Sequence, residues 1–317
     1  MSPQTPPLVR SAWAVPGAPA VVAPFQRLLA ASDATEAAEG ALRVVHALAA
    51  RDDAVMTVVS VVEPAPYPSP ASPVLLTLGD APLAHIATAT LAARHDAVLA
   101  QSARCGTAPV RAIRVVETPM PAHGILQVAA ESDAEAVVLG LGRHGPLDRL
   151  FGSETALQVV RAAMRATLAV PARQRTVPAH AVVGMDFSDS ALAATRLAAR
   201  LVGARGRLTL VHIEPVGEPV PSMLSEWHGV YAEGVQAAFS RTVASMGLPR
   251  SLTVETLTLA GHAANALLGL VDRSGADLLS LGRHSYGAVE RLILGSVTTR
   301  VLRSASCAVA VAAPTDG

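Results

Sequence analysis

The chain is written twice, and this repetition narrows its possible folds more than any single motif does. GLGRHG at 140–145 returns as LGRHS at 281–285, and LDRLFGSETALQVVR at 147–161 returns as VERLILGSVTTRVLR at 289–303. Upstream, SDATEAA at 32–38 answers MDFSDSA at 185–191, and SVVEP at 60–64 answers VHIEP at 211–215. The matches keep one order in both halves, which is the signature of a duplicated domain of roughly 140 residues. The seam falls in PARQRTVPAHA, 171–181, a stretch rich in Pro and Arg. The expected organisation is a disordered, Pro-rich tail over 1–24, a first domain over 25–173 and a second over 174–317.

Within each half, short apolar runs alternate with helical patterns, which predicts a parallel sheet covered on both faces. In the second half the strands are read at 181–185, 207–213, 252–259, 278–282 and 308–312, with helices at 189–202, 226–246, 263–274 and 296–304. The first half repeats the strands near 27–32, 55–62, 110–116, 136–140 and 167–171. The fold class is therefore α/β, with two tandem, doubly wound, five-stranded parallel sheets of Rossmann-like type. LAATRLAARLV, 192–202, keeps Leu192, Leu197 and Leu201 near one face, with Arg196 and Arg200 opposite. EPAPYPSPASP, 63–73, is too dense in proline for either element and reads as a loop.

Composition removes several function classes. All 25 basic residues are arginine, and 25 acidic residues balance them. Without lysine, neither a P-loop nor Schiff-base chemistry can operate. The charge balance leaves no footprint for nucleic acid or an anionic membrane, so neither is expected as a partner. Aromatics are 3% of a chain that is 51% hydrophobic, which leaves few stacking platforms for bases. Cys105 and Cys307 have no CxxC or His-rich neighbourhood; they predict neither a disulfide framework nor a metal site, and a reducing cytoplasm fits them. No apolar run approaches the ~18 residues of a membrane span.

In a doubly wound sheet, ligands sit outside the carboxyl ends of the strands, where the strand order reverses. Asp186, Ile213 and Gly282 end three second-half strands that should converge there. Gly295 and Ser296 open a helix whose free N–H groups and positive end favour an anion, and Thr298 and Thr299 add hydroxyls. From pattern alone two readings stand side by side: an anion site, or glycines that serve only strand-to-helix turns.

The succession GMDFSDSA, LTLVHIEP, LSLGRHSYGAVERLILGSVTTRVL and CAVAVAA resembles a universal stress protein domain, and the resemblance covers both halves. That family carries a Gly-x2-Gly-x9-Gly-Ser/Thr motif after its fourth strand, matched here by Gly282, Ser285 and Gly295-Ser296, with Ser285 in place of the second glycine. The resemblance implies a stress-response protein whose second domain holds ATP, with or without Mg2+, as a non-catalytic sensor or regulator. It implies Gly184, Met185 and Asp186 after the first strand, with Asp186 at the ribose or adenine edge, and Ile213 backbone at the adenine. Gly282, His284 and Ser285, with Gly295, Ser296 and Val297, would surround the phosphates, with no catalytic and no metal-ligating residue. The alternatives are a nucleotide-free interaction scaffold, which the Ser285 substitution favours, and a slow ATPase. The partners implied are an adenine nucleotide and an unidentified protein.

The first half departs further. Either Gly140 or Gly142 can be aligned as the first motif glycine, and Arg143 then takes the second position in the former case. Glu154 follows Ser153, setting a carboxylate where phosphate would lie. Asp33 remains, and the site reads as degenerate or adapted to another ligand.

Other residues carry plainer readings. His144 and His284 each follow Arg, yet neither has an acid and a nucleophile beside it in sequence. Asp186 can cap the next helix with Ser188 as well as meet a ligand. Arg283, Arg291, Arg300 and Arg303 read as solvated or paired, His212 as a satisfied sheet-end residue, and both cysteines as small buried ones.

The last strand of each half, ATLAVPA at 166–172 and CAVAVAA at 307–313, is apolar on both faces, and an edge of that kind invites pairing. An intramolecular pseudo-dimer of the two domains is expected, with or without further homodimerisation, and the resembled family joins these strands across its dimer axis. Residues 175–317 expressed alone should self-associate in sedimentation velocity. A well-behaved monomeric fragment would count against the pairing.

Overall fold

Apolar runs without a polar face need cover on both sides, and in this chain helices rich in alanine supply it. The computed structural model describes residues 11–12, 22–64, 81–142, 152–214, 225–283 and 295–313. It divides into two units, Phe25–Thr176, and Val177–Gly317 together with Met1–Pro24. After a two-residue strand β1 (Ser11–Ala12), the first unit runs β2 (Arg27–Ala31), a 3-10 turn, α1 (Glu39–Asp52), β3 (Val55–Val62), α2 (Ala81–Cys105) and β4 (Val110–Glu117). It continues through α3 (Pro121–Glu131), β5 (Ala136–Leu141), α4 (Gly152–Ala162) and β6 (Ala166–Pro171).

Its five strands are parallel, in the order β6-β5-β2-β3-β4. Leu28–Ala31 of β2 lie beside Ala136–Leu139 of β5, and the order reverses between these two strands. Leu29, Val59, Ile125, Val137 and Val159 belong to a buried cluster on one face of the sheet. On α1, Leu42, Val45 and Leu48 are buried.

The second unit repeats the plan: β7 (His180–Gly184), α5 (Asp189–Val202), β8 (Arg207–Glu214), α6 (Ser225–Ser245), β9 (Thr253–Ala260), α7 (Ala263–Ser274), β10 (Leu278–Leu281), α8 (Ser296–Ser304) and β11 (Ala308–Val311). The order is β11-β10-β7-β8-β9, again parallel, with the reversal between β7 and β10. The fold is thus two Rossmann-like parallel-sheet units, and the elements read from the sequence lie within a residue or so of these bounds. Helix α5 begins where Ser188 accepts a hydrogen bond from the Ala191 amide, and Gly203 ends it at φ 75°. Leu197 and Leu201 are buried and Arg196 is exposed, whereas Leu192 is only half-buried.

Two residues of the tail read as disordered, Ser11 and Ala12, pair antiparallel with Thr256 and Glu255 on β9. A parallel sheet's outer strand presents unpaired amides and carbonyls, which an extended neighbour can satisfy. No helix among the described residues is long and apolar enough to cross a membrane.

Small residues set the helix–sheet distances. A Cβ on Gly40 of α1 would lie 2.1 Å from the Pro171 carbonyl oxygen at the end of β6. On α6, a Cβ on Gly234 would meet no described atom within 4 Å. Gly40→Ala should therefore cost about 1–3 kcal/mol through forced backbone movement, and Gly234→Ala should gain about 1 kcal/mol of helix propensity. Midpoints of urea unfolding check both signs.

His46 of α1 is buried against α2, with Nε2 2.9 Å from the Ser102 hydroxyl and no partner for Nδ1 among the described residues. Burial holds its pKa below the ordinary 6.5. Unfolding lets the ring take up a proton, so this contribution is complete above about pH 6.5 and is lost as the pH falls below it. Urea unfolding at about pH 7.5 and about pH 5.5 should show that loss, and His46→Leu should shrink it.

Candidate functional site

The carboxyl end of β7 supplies the first wall. The Met185 amide donates to the Val211 carbonyl at 2.8 Å, which carries the ladder one residue past the strand. Asp186 then turns the chain: its Oδ1 accepts the Ser188 amide at 3.0 Å and the Ser188 hydroxyl at 2.5 Å. Ser188 in turn caps α5 and lies 2.9 Å from the Ser190 hydroxyl. Capping by this acidic turn is therefore present, as one sequence reading had it, and Asp186 itself is exposed at the cavity. Phe187 takes φ 65°, a left-handed conformation that residues with a Cβ rarely adopt.

The second wall comes from β10. A Cβ on Gly282 would lie 2.6 Å from the carbonyl carbon and oxygen of Ser190, so only glycine lets the start of α5 settle onto the end of β10. Past it, Arg283 is buried, and burial lowers its pKa from the ordinary arginine value. It is therefore not solvated, and Glu290, the partner otherwise expected for it, lies outside the described residues.

The third wall is the start of α8. Gly295 is the N-cap residue, its carbonyl accepts the Thr299 amide at 3.0 Å, and the first-turn amides lack intrahelical partners by construction. No described atom lies within 4 Å of where a Gly295 Cβ would stand. Its φ of −55° suits any residue, so neither packing nor conformation among the described residues demands glycine there.

These elements enclose a cavity of ≈ 440 Å³ in the second unit. Of the ten residues expected at the site, Gly184, Met185, Asp186, Ile213, Gly282, Gly295, Ser296 and Val297 line it. His284 and Ser285 lie outside the described residues. Val211, Ala263, Leu267 and Leu281 give the cavity an apolar floor, and Ser190, Thr298 and Ser296 give it hydroxyls. Asp186 is the one carboxylate among the described lining residues, and no arginine is among them.

Sequence reasoning missed one part of the site. His212 lines the cavity, and its ring has Nδ1 2.9 Å from the Met185 carbonyl and Nε2 2.9 Å from the Tyr231 hydroxyl of α6. Phe187 lies against this ring at 5.2 Å between centroids, and against Phe239 at 5.1 Å edge-on. In a chain with so few aromatics, Phe187 directly after Asp186 was the available signal.

The first unit has a corresponding cavity of ≈ 510 Å³ at the ends of β2, β3 and β5. A Cβ on Gly140 would lie 2.5 Å from the Ala37 carbonyl oxygen, the same close approach that Gly282 makes. Gly140, and not Gly142, is thus the counterpart of Gly282; Arg143 and His144 lie outside the described residues. Asp33 repeats the turn, with Oδ1 accepting from the Thr35 amide at 2.9 Å and hydroxyl at 2.6 Å. The setting differs. Ala31 and Ser32 replace Gly184 and Met185, and Glu63 and Arg94 line the cavity.

A model of the Universal stress protein family matches the chain twice, over residues 24–171 and 179–313. The universal stress protein in the QAH/OAS sulfhydrylase 3' region of Thermus aquaticus is 33% identical over 133 residues, which are 40% of this chain and 90% of that protein. The crystal structure of a universal stress protein from Archaeoglobus fulgidus covers 93% of this chain and 98% of its own, with a TM-score of 0.59 at 16% identity. That of a functionally unknown protein, PA1789 of Pseudomonas aeruginosa, covers 92% and 94% with a TM-score of 0.63 at 13% identity. The two structures share the fold.

Proposed function

The chain belongs to the universal stress protein family, and on that premise we propose that its second domain, 174–317, binds ATP, with or without Mg2+, as a non-catalytic stress sensor or regulator. The observation that carries this reading is the convergence of the Asp186 turn, the Gly282 close approach and the open start of α8 on one cavity. Asp186 would meet the ribose or the adenine edge, and Ile213 backbone the adenine. Gly282, Gly295, Ser296 and Val297 would surround the phosphates, with helix N–H groups and the dipole favouring the negative charge. The space where a Gly295 Cβ is missing supports close approach of a ligand there.

The same set of residues favours binding over turnover. Phosphoryl transfer needs the γ-phosphate charge neutralised and a nucleophile oriented. The chain has no lysine, and the carboxylate at the cavity, Asp186, is engaged in its own turn through Oδ1. Contacts equal in ground and transition states bind without accelerating chemistry. The first domain, 25–173, would not share the ligand, because Ala31, Glu63 and Arg94 change its cavity. Cys105 and Cys307, neither of which forms a disulfide among the described residues, suit a reducing cytoplasm.

Isothermal calorimetry with ATP tests the reading. Asp186→Ala and Gly295→Val should each weaken binding by more than about 10-fold, the first by removing a charged acceptor and the second by filling the approach. Asp33→Ala should leave the affinity unchanged. Phosphate release should stay far below the ~1 s⁻¹ floor typical of enzymes. An absence of binding by the unaltered chain would instead favour the nucleotide-free scaffold, and turnover abolished by Ser296→Ala would make the protein an ATPase.

A further inference from the structure

A sensor that does not turn over its ligand needs a route by which occupancy leaves the cavity. The Met185 amide ties the acidic turn to β8, the Asp186 carboxylate ties it to Ser188 at the start of α5, and the turn holds Phe187 in a conformation that its Cβ disfavours. A further tie runs from the turn through the His212 ring of β8 to helix α6. The Met185 carbonyl can only accept, so Nδ1 of His212 carries the ring proton. In the uncharged ring Nε2 then accepts the hydroxyl proton of Tyr231. Burial, and then the Glu214 charge, push the Tyr231 phenol above its ordinary pKa of 10.0, which keeps it a donor. Phe187 adds a second fastening, edge-on against the buried Phe239 further along α6.

The first unit ties its own acidic turn to the helix in the same place by different chemistry. Ala34 repeats the left-handed conformation at φ 63°. Gln101 of α2 accepts from the Ser32 hydroxyl at 2.6 Å and donates to the Thr35 carbonyl at 2.6 Å, while Arg94 of α2 donates to the Asp33 carbonyl. Polar side chains there and aromatic ones here make the same mechanical link, since both join the turn that carries the acid to the long helix after the second strand.

We infer that α6 is the output element of the second-unit cavity, with His212 and Tyr231 as positioning residues that couple the Asp186 turn to it. The inference rests on the nucleotide reading above. A ligand that engages Asp186 and the His212 wall firms the turn, and the Tyr231–His212–Met185 chain passes that ordering to α6. Removing the Tyr231 hydroxyl should uncouple the helix while leaving the cavity walls in place.

Hydrogen–deuterium exchange on the full chain, with and without MgATP, separates the two claims. Protection over 295–304 and 185–188 reports binding, and protection over 225–245 reports its transmission. The unaltered protein should show both. Tyr231→Phe keeps the ring, so it should retain protection over 295–304 and 185–188 and lose most of that over 225–245, with affinity reduced no more than about 10-fold. Protection of the cavity segments without any over 225–245 in the unaltered protein would overturn the inference and leave nucleotide binding standing. So would a Tyr231→Phe protein that still protects 225–245, or one that loses protection everywhere. No protection at 295–304 in the unaltered chain would overturn nucleotide binding and this inference together.

Discussion

Parallel pairing of β7 with β10, Ala181–Val183 beside Leu278–Ser280, leaves neither strand a solvent face. The same holds for β2 beside β5 in the first unit. Each pair is the place where strand order reverses, so the chain leaves the two strands toward opposite faces and a crevice opens between the departing segments. Buried strands cannot give up their ladder, and the crevice can close only as far as the helix starts allow. Gly282 against Ser190, and Gly140 against Ala37, set that limit through backbone contact rather than through side chains. A Cβ at either glycine would push a helix start away from the sheet and change the cavity before any ligand is considered.

Electrostatics sets what such a crevice can hold. With no lysine in the chain and no arginine among the described lining residues of the second cavity, an anion there depends on helix amides and hydroxyls. Those groups are fixed by the fold and stabilise charge without supplying a proton or a mobile cation. The two units have diverged at this level while retaining their scaffold. The first carries Glu63 and Arg94 at its cavity, and the second an apolar wall joined to His212. Duplication has left one architecture with two chemistries.

Much of this was legible in the sequence. Alternating apolar runs and alanine-rich segments are local signals, and β3 and the helices at 189–202, 263–274 and 296–304 fall where periodicity puts them. Asp186, Gly282 and Gly295 were legible for a related reason: each ends or opens an element, and the parallel topology then gathers such ends together. What escaped is non-local. That Arg283 is buried follows from packing beyond its own segment, and the choice between Gly140 and Gly142 rested on a contact with Ala37 about a hundred residues away. His212 read as a satisfied sheet-end residue, and both of its ring nitrogens are indeed engaged. Its link to α6 needed Tyr231, whose spacing from His212 carries no periodic signal. The pairing of Ser11 and Ala12 with β9 spans most of the chain and was equally hidden.

Binding of nucleotide by one unit and not the other can be read from the nucleotide content of the protein itself. Protein purified without added nucleotide and then saturated with ATP can be freed of excess ligand, denatured in acid, and its released nucleotide quantified against chain concentration. The expected value approaches one adenine nucleotide per chain, held by the second unit and recovered chiefly as ATP. Two per chain would contradict the inequality of the two cavities, and none after saturation would contradict nucleotide binding altogether.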